Sequence, residues 1–296
     1  MRIGVVLLPE LDWSRDRKRW ERVERYGFDH AWIYDHLAWR TLADGPWHAT
    51  IPTMTAALLA TTDLRIGTLV TTPNYRHPVP LAKDVMTMDV MSGGRVSLAV
   101  GAGAPGYDAA VLGAVPLTAG QRHARFVEFY EMLEVSLSEP VSSWKGEWYE
   151  SVDARTIPGP SQRPRPPLLV AANGPAGMSL AARKARWPGD GWVTLGPQDT
   201  VLTDDDFWAV VKAGARRMDE TLELAPSAVS ITRLVYLGSR MSSIRSLEHV
   251  RDHVGRASDL GFTDLVLPWP RPDEPFKCDE ALLDDIASAL PQLRAL

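Results

Sequence analysis

Asp35 and His36 stand side by side at the end of a short apolar run, Ala31-Trp32-Ile33-Tyr34. A carboxylate beside an imidazole at a strand end can hold the polar edge of a ligand and move a proton near neutral pH. The bland alternative is that Asp35 caps the next segment and His36 packs. A second candidate is Gly101-Ala102-Gly103-Ala104-Pro105-Gly106, which fits G-x-G-x-x-G after a strand, a dinucleotide-binding pattern. Pro105 and Tyr107-Asp108 do not read as a helix start, so these glycines are better read as letting backbone approach a flat ring. A third is Ala171-Ala172-Asn173-Gly174-Pro175-Ala176-Gly177, a turn that opens a helix. Backbone N–H groups at such a start bind phosphate without a charged side chain, although a plain strand-to-helix turn has the same composition. His249 and His253 lie four apart on a predicted helix but lack H-E-x-x-H. They are expected on a solvated outer face, and no metal site is expected. No G-x-S-x-G occurs, and Cys278 falls in a late loop, so a nucleophilic hydrolase has no support.

These residues need a scaffold, and the chain supplies it as a rhythm. Apolar runs at Ile3–Leu8, Ala31–Tyr34, Arg65–Val70, Arg95–Val100, Leu168–Ala171, Gly191–Thr194, Val229–Tyr236 and Asp264–Leu267 alternate with helical stretches. Strands alternating with helices imply parallel pairing with helical crossovers. Eight units predict an α/β fold, a closed (β/α)8 TIM barrel, whose active site lies where strands end and the following loops begin. Helices are expected over about Arg15–Tyr26, Val79–Met91 and Asp279–Leu290. Between the fourth helix and the fifth strand, Glu139–Pro167 is too long for an ordinary connection. It is read as an excursion, with a turn near Trp144–Tyr149, over the barrel mouth. No composition shift divides the chain, so residues 1–296 are expected to form one barrel domain.

Composition narrows the function classes. No apolar run approaches the roughly 20 residues needed to span a bilayer. The start, Met1-Arg2-Ile3-Gly4, runs directly into a strand pattern rather than a signal peptide. One cysteine permits no internal disulfide, and a cytoplasmic location is expected. A formal net charge of −5 without a long basic run argues against nucleic acid. Eleven tryptophans are many, and Trp32, Trp39, Trp47, Trp192 and Trp269 fall at strand ends or loops, where they could line a pocket for a flat ligand.

Several ordered motifs together resemble the bacterial luciferase-like superfamily of flavin- and deazaflavin-dependent oxidoreductases. They are Glu24-Arg25-Tyr26-Gly27-Phe28-Asp29-His30-Ala31-Trp32 leading to Asp35-His36, Leu64-Arg65-Ile66-Gly67-Thr68, and Thr72-Pro73 with Arg76-His77-Pro78. Leu81-Ala82, Asp89 with Ser92-Gly93-Gly94-Arg95, Val100-Gly101-Ala102-Gly103, Gly159-Pro160, Gln162-Arg163-Pro164 and Asp190-Gly191-Trp192 complete the series.

The resemblance implies a (β/α)8 barrel, commonly a homodimer, with the cofactor ring over the strand C-termini. It places a non-prolyl cis bulge at Leu69-Val70 against the ring. It gives Asp35 a cofactor contact and puts His36 near the reacting face, with Trp39 stacking nearby. Thr72, Ala102 and Gly103 would line the ring edge, while Asn173, Gly174, Ala176 and Gly177 would take the phosphate.

The implied cofactor is coenzyme F420 or FMN. The Asn-Gly-Pro-Ala loop, Thr72-Pro73 and Trp39 close after Asp35-His36 look more like the deazaflavin users. Arg40, Arg76, Arg122 or Arg125 would welcome a polyglutamylated tail. The catalytic Glu of sugar-phosphate-oxidising relatives is replaced by Ala104, so its acid–base role is absent or moved to His36 or Asp108.

Three readings follow. The first is an F420-dependent hydride transfer on a small, mainly apolar organic substrate, with reductase-supplied reduced FMN and oxygen as the monooxygenase alternative. The second is a non-catalytic flavin-binding protein. The third is a nicotinamide enzyme on an open sheet. The loops Leu37–Thr50 and Gly106–Thr118 and the excursion are expected to set the substrate.

Overall fold

A computed structural model describes residues 1–197, 203–225, 227, 229–238 and 244–296. In chain order its elements are β1 (Arg2–Leu7), α1 (Trp13–Tyr26), β2 (His30–Ile33), α2 (Thr50–Ala60), β3 (Arg65–Thr71), α3 (Pro78–Ser92), β4 (Val96–Gly101), α4 (Tyr107–Ala110) and α5 (Ala119–Ser138). There follow β5 (Val141–Lys145), β6 (Glu150–Arg155), β7 (Leu168–Ala171), α6 (Pro175–Lys184), β8 (Gly191–Thr194), α7 (Asp204–Leu224), β9 (Thr232–Tyr236), α8 (Leu247–Asp259), β10 (Asp264–Pro268) and α9 (Leu282–Ala295).

Eight strands close a barrel in the order β1-β10-β9-β8-β7-β4-β3-β2. The pairings β1 with β10, β3 with β4, and β7 through β8, β9 and β10 are parallel. The predicted (β/α)8 barrel is therefore the fold, and closure removes the open-sheet reading of Gly101–Gly106. The chain divides into two compact units: Met1–Leu7, Glu21–Trp32 and Leu169–Leu296 form the first, Leu8–Trp20 and Ile33–Leu168 the second.

The strands follow from their sequences. β2 and β4 are buried along their whole length, as expected of continuous apolar runs covered on both faces. α3 begins at Pro78 with the His77 imidazole accepting from the Val79 N–H, and ends at Gly93, which takes the left-handed conformation (φ 68°). α5 carries a complete capping box, Thr118 with Gln121. α9 runs through Pro291 rather than stopping before it, as the sequence had suggested. A proline within a helix removes one N–H bond without forbidding the turns that follow. β9 starts at Thr232, three residues later than its apolar run suggested.

In the second unit, the long segment before β7 contains the antiparallel hairpin β5–β6, around the expected turn. Its turn is bonded to α5: Glu128 accepts from the backbone N–H groups of Glu147, Trp148 and Tyr149 at 2.8–3.0 Å and from the Trp144 indole at 3.1 Å. Burial works against the Glu128 charge, but these four donors hold its carboxyl below the usual range. No described helix is long and apolar enough to cross a membrane.

Candidate functional site

In the second unit, the residues after β2, β3 and β4 build a network around Asp35. This carboxylate is fully buried. One oxygen accepts from the Tyr75 hydroxyl at 2.5 Å and Arg76 Nη2 at 2.6 Å; the other accepts from Thr71 Oγ1 at 2.8 Å and Arg76 Nε at 3.1 Å. A carboxylate has about four acceptor positions, and all of them are met within the chain. Here Asp35 forms a fork-to-fork ion pair with Arg76 that also fixes Thr71 and Tyr75. Burial, then the Asp35 charge, pushes the Tyr75 phenol well above its ordinary value, so it stays a donor. Arg76 loses solvation, yet Asp35 more than offsets this and holds the guanidinium above its ordinary value. With its one proton given to Asp35, Thr71 Oγ1 accepts from the Thr68 hydroxyl at 2.8 Å. Sequence reasoning missed this hub because Asp35, Thr71 and Tyr75–Arg76 meet only once β2 and β3 are in place.

The Leu69–Val70 peptide is cis, and the β3–β4 register shifts between Leu69 and Thr71. Thr72 is buried, with its oxygen accepting from the Asn74 N–H at 3.4 Å. After β4, Gly103 adopts φ 75°, and a Cβ there would lie 2.7 Å from the Asn74 amide, so only glycine fits. The same amide donates to the Ala104 carbonyl at 3.0 Å and accepts from Arg125 Nη2 at 2.7 Å. Arg125 Nε is buried with no hydrogen-bond partner, and burial lowers the guanidinium from its ordinary value. A cation bonded to an amide beside a glycine cradle fits the anionic part of a ligand.

His36 follows Asp35 and lies in a different environment. Its Nδ1 is 2.5 Å from Asp108 Oδ2, and its side chain is 28% exposed. Asp108 lies on the single turn α4, although the sequence around Pro105 did not read as a helix start. An aromatic wall stands beside the imidazole. Tyr34 meets His36 edge-on at 6.0 Å and Trp39 at 5.1 Å, and Trp39 stacks on Trp47 at 6.4 Å. The Trp47 indole donates to the His36 carbonyl at 2.8 Å.

The first unit carries the helix-start candidate. α6 begins with Gly174 as N-cap and Pro175 in its first turn, and no side chain caps it. The Met178 N–H reaches the Gly174 carbonyl, so the N–H groups of Ala176 and Gly177 precede the first helical bond and are the donors available to an anion. A Cβ on Gly177 would sit 2.5 Å from the Ala172 methyl, which keeps this turn tight. The Asn173 side chain is already engaged: its oxygen accepts from Thr194 Oγ1 and its amide donates to the Gly196 carbonyl, both at 2.9 Å. Arg217, not singled out from sequence, donates to the Asn173 carbonyl at 3.3 Å.

His249 and His253 do not form a solvated face. His253 is buried beneath Trp208 of α7, whose indole donates to its Nδ1 at 2.9 Å. His249 Nε2 is 2.8 Å from Asp204 Oδ2, which also takes Arg245. Asp204, His249 and His253 could be grouped as cation ligands by distance. The donors argue otherwise. An indole N–H only donates, so His253 Nδ1 must accept, its proton sits on Nε2, and the ring has no lone pair left for a metal.

Residues 1–256 match the family model described as luciferase-like monooxygenase. The F420-dependent glucose-6-phosphate dehydrogenase of Amycolatopsis mediterranei is 32% identical over 213 residues, 71% of this chain and 62% of that one. The 4-hydroxyprotoasukamycin monooxygenase of Streptomyces nodosus subsp. asukaensis is 31% identical over 268 residues, 89% of this chain and 65% of that one. The chain thus spans about three-fifths of the length of the curated relatives it matches. Its fold superimposes on an F420-dependent secondary alcohol dehydrogenase solved with an F420–acetone adduct, with a TM-score of 0.80, 20% identity and 99% of both chains covered.

Proposed function

This chain belongs to the luciferase-like monooxygenase family, and on that premise we propose that it is an F420-dependent oxidoreductase acting on a small, mainly apolar organic substrate. The observation that carries the reading is His36. A half-exposed imidazole held by a carboxylate beside an aromatic wall is a proton-transfer device, which a flavin store would not need. Bound in this site, the deazaflavin supplies the hydride acceptor or donor at its ring.

The residues present fit such a group. Thr72, Ala102 and Gly103 line its ring edge, and the Leu69–Val70 bulge backs it. Asp35 acts by fixing Thr71, Tyr75 and Arg76 rather than by touching the ring. Arg125 meets negative charge on the ligand. The Ala176 and Gly177 N–H groups take the phosphate, with Gly174 opening the turn and Asn173 holding it to Thr194 and Gly196. His36 exchanges a proton with the substrate, and Trp39 packs against it to exclude water. A homodimer in the cytoplasm, with a reductase returning the cofactor to its starting state, completes the reading.

The similarity to a monooxygenase across most of the chain favours a second reading, in which reduced FMN and oxygen replace the deazaflavin. Titration of the purified protein with oxidised F420, oxidised FMN and reduced FMN, followed by tryptophan fluorescence, separates the two. Low-micromolar binding of F420 alone is expected. Tight binding of reduced FMN alone, with oxygen uptake on adding substrate, overturns the deazaflavin reading. Binding of neither removes the catalytic one.

A further inference from the structure

Asp108, read from the sequence only as an alternative seat for the missing acid–base role, carries the strongest further observation. It is 6% exposed, yet it lies on a single helical turn whose other side chains are open: Tyr107 is 53% and the following Leu112 66% exposed. One carboxylate oxygen accepts from the Leu37 N–H at 2.9 Å, and the other faces His36 Nδ1 at 2.5 Å. The first bond ties the carboxylate to the backbone right after His36, so both groups move as one piece. A carboxylate only accepts, so the His36 proton resides on Nδ1. Nε2 of the neutral ring then bears a lone pair, and no described group is bonded to it.

We propose that Asp108 is the positioning residue of the reaction, fixing His36 as the Nδ1–H tautomer so that Nε2 accepts the hydroxyl proton of an alcohol substrate. This rests on the hydride-transfer reading above. The step balances. A deazaflavin held here would supply the acceptor for the carbinol hydride, two electrons with one proton. The hydroxyl proton passes to His36 Nε2, and the carbon–oxygen bond becomes a carbonyl. The imidazolium is paired with Asp108 until its proton leaves to solvent through the exposed edge of the ring. The reverse direction returns the same proton to a carbonyl oxygen.

The same arrangement assigns the substrate class. A ring that keeps its lone pair on Nε2 is suited to accept from a hydroxyl group. The aromatic wall of Tyr34, Trp39 and Trp47 favours an apolar body on that alcohol.

Two measurements test this independently. The first is the nitrogen NMR spectrum of histidine-labelled protein, with the His36 signals assigned by their loss in His36→Gln. Wild type is expected to show the Nδ1–H tautomer, and Asp108→Ala to revert to Nε2–H. A wild-type ring already in the Nε2–H form overturns the proposal whatever the cofactor.

The second is F420 reduction by 1-phenylethanol in wild type and Asp108→Asn. The variant is expected to bind F420 within twofold of wild type, with an unchanged KM, while kcat falls roughly 100-fold. An unchanged kcat overturns the proposal. A locked tautomer in a protein that does not bind F420 leaves the positioning role standing and removes the hydride-transfer reading instead. Unfolding midpoints of both variants, compared with wild type, separate a folding defect from either result.

Discussion

The two units approach ligand binding by different means. In the second, the candidate ring site is made of side chains: one buried carboxylate holds a threonine, a tyrosine and an arginine, and a second holds an imidazole. In the first, the candidate phosphate site is made of main chain: two N–H groups at an uncapped helix start, with the one polar side chain in the turn used up in supporting it. A side-chain site depends on residue identity and fails when one charge is removed. A main-chain site tolerates changes of side chain but not of backbone shape. This contrast predicts which substitutions matter in each unit.

The largest effect is expected from Asp35→Ala. It leaves Arg76, partly buried, without its carboxylate, and removing one partner of a buried pair costs about 3–5 kcal/mol. Urea unfolding should show that loss. A loss below about 1 kcal/mol would mean that the hub is ornamental and the contrast false.

Acidification comes next and acts on the first unit away from its phosphate turn. Burial, and then His249, push the His253 imidazole down from 6.5 to about 4. Between those values the unfolded chain binds a proton at this position and the native chain does not. Stability is therefore full above about pH 6.5, falls as pH drops, and levels off below about 4. The whole window is worth about 3 kcal/mol. His253→Phe should flatten the pH dependence of the unfolding midpoint over this range, and an unaltered slope would reassign it to another group.

Gly177→Val should weaken binding of a phosphate-bearing cofactor about tenfold, roughly 1.4 kcal/mol, because its side chain displaces the turn against Ala172. Ala176→Ser should leave binding unchanged within about twofold. Equal losses in the two variants would show that side chains matter here too. Arg217→Ala should cost about twofold in affinity, an effect vanishing at high salt, since an exposed charge contributes little.

The sequence carried the scaffold well, because a continuous apolar run between turn residues has few other uses. β7 and β8 fall on the residues expected, and β1 and β2 are displaced by one residue. The start of α6 was equally legible, since a helix start is a local object. Asp35 and His36 were found as a pair, but their partners were not. Tyr75, Arg76 and Asp108 are ordinary polar residues in loops until β2, β3 and β4 bring them within bonding distance. His253 was misread for a related reason. A histidine on a charged helix segment looks solvated until Trp208 packs over it.

The short turn α4 has a consequence for how this chain can change. It belongs to the loop between β4 and α5, whose exposed Tyr107, Val111 and Leu112 are free to vary with the substrate. The same turn carries Asp108. Anyone exchanging this loop for that of a relative, to transfer its substrate range, would replace the partner of His36 in the same cut. Selectivity and turnover should therefore be inherited together, and chimaeras that keep Asp108 and its hold on the Leu37 N–H should outperform those that do not.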